Sequence, residues 1–332
     1  MSWRVLAMAR HFDLSPEPKQ YLRDNSCEIV ETEYGGSLND GEIPQEKLIR
    51  MLDGVDACII STPLMSREVI EKAKSLKLIS RRGVGFDRVD VEAATENGVY
   101  VTITPGTVDE GVADHAFALM LAISKKIVES HLNILNGVWK ASVGTELWQK
   151  TLGVIGMGRI GQAVARRAAG FDMKVIAYDV FPSEEVARKY GVTFVSLEEL
   201  MQQSDFISIN APLNKDTFHL VSDRLLQMTK PSAFIVNTAR GGLIDEAALV
   251  RALERGNLAG AALDVFEEEP LGSSRLKELP NVVLTAHTGG YTYESMKRAN
   301  LAAAKNVVQI MKGVLPGGGA LLNPEAKNVR QR

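Results

Sequence analysis

The sequence predicts an α/β protein made of two doubly wound parallel-sheet domains, the second of them shaped to hold a dinucleotide. Three observations predict it. Short apolar runs alternate with helical segments along most of the 332 residues. One apolar run, Leu152 to Ile155, leads into Gly156-Met157-Gly158-Arg159-Ile160-Gly161, then a helix, then a second run ended by Asp179. Thr104-Pro105-Gly106 breaks the alternation ahead of one long helix and so divides the chain into two such series.

The first series has apolar runs at Val5 to Ala9, Ala57 to Ile60, Leu76 to Ile79 and Val99 to Ile103, with helical segments around Gln20, Leu48, Val69 and Ala93. A long helix then begins near Val112 and runs past Leu121. The second series has strands at Leu152 to Ile155, Val175 to Tyr178, Phe206 to Ile209, Phe234 to Asn237, Ala259 to Val265 and Val282 to Thr285. Six strands are what a dinucleotide-binding sheet needs. Ser196, with Glu199 three residues on, and Asp245 read as helix caps. A last helix, Glu294 to Met311, has no strand after it and is expected to pack back on the first domain. The expected domains are therefore 1–103 with 291–332, and 104–290.

Each part of the glycine unit has a physical task. Gly156 permits the tight turn out of the strand, Gly158 lets backbone amides approach a pyrophosphate, and Gly161 lets the helix lie close to the sheet. The helix N-terminus offers that pyrophosphate unpaired N–H groups and the positive end of its dipole. Asp179 falls where a carboxylate accepts from the ribose hydroxyls of the adenosine half and repels a 2′-phosphate. The unit is that of a Rossmann domain and favours NAD over NADP.

Composition excludes several classes. A hydrophobic share of 45% with 24% charged residues describes a globular chain, and the first apolar run is too short for a signal peptide or membrane span. A cytoplasmic location is expected, with no membrane partner. Net charge is −3, which argues against nucleic acid as a partner. Lys125-Lys126 and Arg166-Arg167 read as solvated helix faces, and Lys327, Arg330 and Arg332 as a basic tail. Cys27 and Cys58 lack metal-ligand spacing and form no disulfide framework; no metal site is expected.

In open α/β sheets the ligand lies beyond the carboxyl ends of the strands. Three of those ends carry chemistry: Thr238-Ala239-Arg240, the run from Val265 to Glu269, and Ala286-His287-Thr288. Arg240 can hold a carboxylate with two parallel hydrogen bonds. His287 can exchange a proton near neutral pH, and Glu269 can orient its ring and favour the charged form. Each has a plainer reading, as a surface arginine, one acid of a solvated run, or a helix-capping histidine. Their convergence beside a nicotinamide points instead to hydride transfer at C2 of a 2-hydroxy acid.

The segments RRGVGFDRVD (Arg81 to Asp90), ITPG (Ile103 to Gly106), GMGRIG, NTARGGLIDEAAL (Asn237 to Leu249), AALDVFEEEP (Ala261 to Pro270) and AHTGG (Ala286 to Gly290) resemble the D-isomer-specific 2-hydroxyacid dehydrogenases over nearly the whole chain. The resemblance implies a flavodoxin-like substrate domain beside the Rossmann domain, and Arg240, Glu269 and His287 as the catalytic set. It further implies cofactor contacts from Arg159, Ile160, Asp179, Pro212, Thr238, Ala239, Arg240, Asp264 and His287 to Gly290. Substrate contacts would come from Val84 and Gly85 with Arg240 and His287, and the assembly would be a homodimer.

The chain is similar to the phosphoglycerate dehydrogenase and glyoxylate-hydroxypyruvate reductase branches. It departs from the former at the third strand's end, where Ile60-Ser61-Thr62-Pro63 stands in place of an arginine, and it has Arg88 where the family usually has asparagine. Small unphosphorylated 2-keto acids are therefore the expected substrates, with 3-phosphoglycerate as the alternative. An NAD(H)-sensing binding protein is the rival of another class. Formate oxidation is disfavoured by Glu269, where similar formate enzymes carry glutamine; phosphite oxidation is left open.

Overall fold

The computed structural model describes residues 2–31 and 43–327. Arg330 and Arg332 of the basic tail lie outside the described residues. The chain divides into two compact units, Met1–Val108 with Tyr291–Arg332, and Asp109–Gly290.

Unit 1 is built in the order β1 (Trp3–Ala7), α1 (Glu17–Asp24), β2 (Cys27–Val30), α2 (Gln45–Met51), β3 (Ala57–Ile60), α3 (Arg67–Lys72), β4 (Leu78–Arg81), α4 (Val91–Glu96) and β5 (Tyr100–Thr102). Its parallel sheet has the order β2-β1-β3-β4-β5. Alternate residues of one strand face opposite layers, because side chains in a strand alternate. Leu6, Cys58, Ile60 and Ile79 pack toward α2, α3 and α4, while Val5, Ala57, Ile59 and Leu78 pack against the last helix. That helix covers Tyr293–Met311, and the buried Ser80 hydroxyl donates to the Ala303 carbonyl within it at 3.0 Å. After it, Leu322 N donates to Val101 O at 2.9 Å, tying the C-terminal segment to β5.

Unit 2 opens with α5 (Asp109–Ser124) and α6 (Ile127–Leu135), then runs β6 (Thr151–Ile155), α7 (Arg159–Ala168), β7 (Lys174–Tyr178), α8 (Glu184–Tyr190), β8 (Val192–Phe194), α9 (Leu197–Gln203), β9 (Phe206–Ile209), α10 (Asp223–Leu226), β10 (Phe234–Asn237), α11 (Glu246–Glu254), β11 (Gly260–Leu263) and β12 (Val282–Leu284). The helix Tyr293–Met311 of unit 1 is α12. The sheet order is β12-β11-β10-β9-β6-β7-β8, all parallel, with the reversal of strand order between β6 and β9. Ser196 and Asp245 do cap α9 and α11, each side chain accepting from the N–H three residues on.

The structure corrects the sequence reading at four places. Unit 1 has a fifth strand, β2, and unit 2 a seventh, β8. Both are short edge strands of four and three residues, with Glu28 and Thr193 exposed, so neither gives the continuous apolar signal of a central strand. The run expected at Leu76 to Ile79 forms β4 at Leu78–Arg81, and Arg81 and Arg82 are buried. Arg166 is exposed as expected, but Arg167 is half-buried and both are paired: Arg167 Nε donates to Asp114 Oδ1 at 2.6 Å, and both arginines reach Glu110, clamping α7 to α5. Those two arginines hold the Glu110 carboxyl below its ordinary value.

Helix α6 has no buried residue, and Ile127, Leu132, Leu135, Trp139 and Val143 are all exposed on it and just beyond it. Cys27 and Cys58 are free and buried, and burial pushes the Cys58 thiol up to about 12. Among the described residues no helix is long and apolar enough to cross a membrane.

Candidate active site

The glycine unit sits at the reversal point of the unit 2 sheet. Gly156 has φ +92°, and a Cβ there would lie 2.8 Å from Ala211 N. A Cβ on Gly161 would lie 2.0 Å from the Gly156 carbonyl, so only glycine lets α7 start this close to the strand. Gly158 is different: nothing lies within 4 Å of its Cβ position, and as N-cap of α7 it gives the helix no side-chain cap. The first N–H groups of α7 are thus left without a side-chain cap, which suits an anion.

Asp179 follows β7 and is fixed by two backbone donors. Its Oδ2 accepts from Met157 N inside the glycine loop at 2.7 Å, and its Oδ1 accepts from Phe181 N at 2.8 Å. A carboxylate oxygen can accept more than one hydrogen bond, so the group keeps acceptor capacity while its position is set. Arg159 and Ile160 begin α7, and the Pro212 carbonyl in the loop after β9 accepts from the Thr217 hydroxyl at 2.7 Å.

At the end of β10, Asn237 organises the next turn. Its Oδ1 accepts from Ala239 N at 3.0 Å and its Nδ2 donates to the Arg240 carbonyl at 2.8 Å. The Thr238 hydroxyl is buried with no hydrogen-bond partner among the described residues, an unusual loss in a native site. Arg240 Nη1 donates to the Ala239 carbonyl at 2.7 Å.

Asp264, after β11, is almost wholly buried and anchors the turn that carries His287. Its Oδ1 accepts from the Thr285 hydroxyl at 2.6 Å and Thr288 N at 2.8 Å, and its Oδ2 accepts from Gly289 N at 2.8 Å. His115, from α5, brings Nε2 within 3.3 Å of Asp264 Oδ1 and 3.1 Å of Thr285 Oγ1. Burial pushes the Asp264 carboxyl up, but the bonds from His115, Thr285, Thr288 and Gly289 outweigh it and leave the value lowered. His115 and Thr285 reach this cluster by tertiary contact, whereas the partners of Asn237 lie two and three residues on in its own turn.

His287 and Glu269 meet. Nδ1 lies 2.8 Å from Glu269 Oε2, while Glu269 Oε1 accepts from Phe266 N at 3.1 Å. His287 has φ +53°, a left-handed conformation uncommon outside glycine. Its backbone N–H donates to the Asp264 carbonyl at 2.8 Å, which holds that turn. Burial pushes the Glu269 carboxyl up, and the hydrogen bond and charge of His287, the Phe266 N–H and the charge of Arg240 bring it down further. Glu269 is thereby ionised at neutral pH, with the ring beside it and Arg240 in electrostatic reach.

A second pair lies nearby in the same unit. His219 Nε2 is 2.9 Å from Glu267 Oε1, and with Asp245 these form the one group of potential metal ligands found among the described residues. Glu267 also accepts from Glu246 N at 2.8 Å, and Asp245 caps α11, so both carboxylates already serve a helix N-terminus. In unit 1, Val84 and Gly85 follow β4, with Gly83 N donating to the Thr104 hydroxyl at 2.8 Å.

A glycine cradle at a parallel-sheet reversal, with an ionised carboxylate against an imidazole at neighbouring strand ends, defines a nicotinamide-dependent oxidoreductase. Comparison with known proteins gives the class its family. Residues 117–289 match the model of the D-isomer specific 2-hydroxyacid dehydrogenase NAD-binding domain. The chain is 42% identical over 316 residues to a glyoxylate reductase of Thermococcus litoralis, covering 90% of this chain and 96% of that protein. Among solved structures it resembles a glyoxylate reductase from Paecilomyes thermophila, with 34% identity, TM-score 0.82 and coverage of 98% and 99% of the two chains. It also resembles D-lactate dehydrogenase from Aquifex aeolicus complexed with NAD and lactic acid, with 31% identity, TM-score 0.79 and coverage of 93% and 96%. The chain belongs to the D-isomer specific 2-hydroxyacid dehydrogenase family, and its cofactor is NAD or NADP.

Proposed function

We propose that this chain reduces glyoxylate and comparably small 2-keto acids to D-2-hydroxy acids with NADH. The observation that carries the reading is the 2.8 Å contact of His287 Nδ1 with an ionised Glu269 at the strand ends. The nicotinamide, when bound, supplies hydride to C2 of the keto acid or takes it from the hydroxy acid. His287, with Nδ1 engaged by Glu269, offers Nε2: charged, it gives a proton to the C2 oxygen in reduction, and neutral, it removes one in oxidation. Arg240 holds the substrate carboxylate, and the backbone at Val84 and Gly85 is the proposed further contact.

The glycine cradle fits the cofactor. Gly156, Gly158 and Gly161, with Arg159 and Ile160 at the start of α7, would hold the pyrophosphate, and Asp179 the adenosine ribose. Asp179 favours NAD(H), because a 2′-phosphate would meet its charge. Pro212, Thr238, Ala239, Arg240, Asp264, His287 and Gly290 complete the proposed lining, with Asp264 acting chiefly by fixing the His287–Gly289 turn. The exposed apolar run from Ile127 through Val143 supports a homodimer, since an apolar surface of that kind is commonly covered by a partner. Light scattering is expected to give twice the chain mass, and Trp139→Lys with Val143→Lys to give the monomer.

The deciding experiment is an NADH-oxidation screen over glyoxylate, pyruvate, hydroxypyruvate and larger 2-keto acids, with NADPH in parallel and NAD reduction by phosphite as control. Turnover of glyoxylate, with higher kcat/KM for NADH than NADPH, is expected. Cofactor binding without turnover of any acid would sink the reading in favour of an NAD(H)-sensing protein, and higher kcat/KM with NADPH would sink the placement of Asp179.

A further inference from the structure

The turn that carries His287 is held from outside its own strand. Asp264 accepts from Thr288 N and Gly289 N through its carboxylate and from His287 N through its carbonyl. A residue other than glycine keeps a φ of +53°, as His287 does, only where its surroundings determine it. Those surroundings extend to α5. His115 Nε2 lies 3.1 Å from Thr285 Oγ1 and 3.3 Å from Asp264 Oδ1. A Cβ on Gly289 would come 3.5 Å from His115 Cδ2, so the imidazole lies against the backbone of the turn itself. Helix α5 is in turn fixed one residue earlier, where Asp114 Oδ1 accepts from Arg167 Nε of α7 at 2.6 Å.

Hydrogen-bond accounting gives the direction of the His115 contact. A threonine hydroxyl has one hydrogen, and that of Thr285 goes to Asp264 Oδ1 at 2.6 Å. Burial raises the Asp264 carboxyl, but the hydrogen bonds it accepts outweigh burial and lower it, so at neutral pH it has no hydrogen to give. Both atoms that His115 Nε2 meets are therefore acceptors, and Nε2 must carry a hydrogen shared between them. The ring is either the Nε2–H tautomer or imidazolium; the Nδ1–H tautomer would set a bare nitrogen against two oxygens that offer it nothing.

We propose that His115 is a positioning residue for His287: its Nε2–H donates to Thr285 and Asp264 and so holds the carboxylate that sets the turn from His287 to Gly289. It acts through Asp264 and not on the reacting atoms. The inference rests on the reading of His287 as the proton carrier of keto-acid reduction, and it gives α5 a task in the reaction that nothing in the local sequence around His115 marks.

The test varies the donor at one position. His115→Gln keeps an amide N–H group with a reach similar to that of Nε2, His115→Asn carries the same amide on a shorter stem, and His115→Leu has no donor. The Asn and Leu variants should lower kcat for glyoxylate reduction about tenfold, the order of one charge-assisted hydrogen bond, while the Gln variant stays within about threefold of the parent. The Kd for NADH, read from quenching of tryptophan fluorescence, should stay within about twofold throughout, because the lost interaction serves the chemical step. Nitrogen NMR of the isotope-labelled parent, with His115→Gln identifying the ring's resonances, should show His115 protonated at Nε2. An unchanged kcat in His115→Asn, a Gln variant no better than the Asn variant, or a bare Nε2 in the parent would each overturn the inference while leaving glyoxylate reduction intact. Where His115→Leu fails to fold, the comparison of Asn with Gln decides. If the parent turns over no 2-keto acid, the proposed function fails instead, and amide hydrogen exchange decides the anchor: faster exchange at Thr288 and Gly289 in His115→Asn than in His115→Gln supports it, and equal rates overturn it.

Discussion

Two imidazole–carboxylate pairs take their acids from one loop, and they differ in everything around them. His287 with Glu269 and His219 with Glu267 are spaced at 2.8 and 2.9 Å, and both histidines have φ +53°. Glu269 is set between His287, the Phe266 N–H and the charge of Arg240, which together hold its carboxyl below the ordinary range against the opposing effect of burial. Glu267 instead accepts from the first N–H of α11, and His219 stacks on Phe218 with centroids 3.9 Å apart. A histidine against an acid is thus not by itself a site. What distinguishes the first pair is an arginine within electrostatic reach and a turn fixed by Asp264.

The largest expected effect breaks the symmetry directly. His287→Ala should lower kcat/KM for glyoxylate reduction by roughly 10²- to 10⁴-fold, the usual range for a lost general acid. His219→Ala should leave it within about twofold. Equal losses in the two variants would mean that both pairs serve the reaction, or that neither does and the protein has simply been destabilised, which thermal melts separate.

Next in size is the support behind the first pair. Asp264→Asn replaces a buried carboxylate that accepts from Thr285, Thr288 and Gly289 and faces His115. Charge-assisted bonds of this kind contribute roughly 1.5–3 kcal/mol each before compensation, so a loss of about 2–3 kcal/mol in stability is expected. The pH dependence follows from the lowered carboxyl. A group whose folded value lies below its unfolded value stabilises above the latter, near 3.9 for aspartate, and loses that contribution as pH falls through the folded value. The variant should therefore differ most from the parent in urea melts at neutral pH and converge with it in strong acid. A constant difference down to low pH would show that Asp264 acts by shape and not by charge.

Glu269→Gln sharpens the comparison at the level of protons. The change removes the negative charge beside His287 while keeping a hydrogen-bond acceptor, so the ring keeps a partner but loses the ionised one. Reduction of glyoxylate should lose about tenfold in kcat/KM, the order of one charge-assisted hydrogen bond. An unchanged kcat/KM would count against Glu269 as the group that positions the ring.

How much of this was legible in the sequence depends on how local the signal was. The strand–glycine–helix–strand–Asp179 unit could be read because each part lies within one 29-residue stretch, Thr151 to Asp179, and answers to backbone sterics. Glu269 and His287 could be brought together because each follows one of two neighbouring strands, β11 and β12. The edge strands β2 and β8 were missed because three or four residues carry no usable period. The pairing of Arg166 and Arg167 was missed because their acids, Glu110 and Asp114, lie more than fifty residues earlier on α5.

The smallest effect concerns the second pair alone. Glu267 and His219 are each about one-third exposed, so their attraction is screened by water and salt, and such pairs contribute at most about 1 kcal/mol. Glu267 has one further task, accepting from Glu246 N at the start of α11, and glutamine can still do that with its carbonyl oxygen. Glu267→Gln should therefore change stability by no more than about 0.5 kcal/mol and leave both pH–rate profiles where they are. The change also removes one of the three potential ligands of the His219–Asp245–Glu267 group, so titrating Zn²⁺ into parent and variant separates the two uses of these carboxylates. If they serve as helix caps, both proteins melt at the same temperature with and without the ion. A Zn²⁺-dependent rise in Tm for the parent, absent in the variant, would show that the pair is a cation site and that its likeness to His287–Glu269 ends at the hydrogen bond.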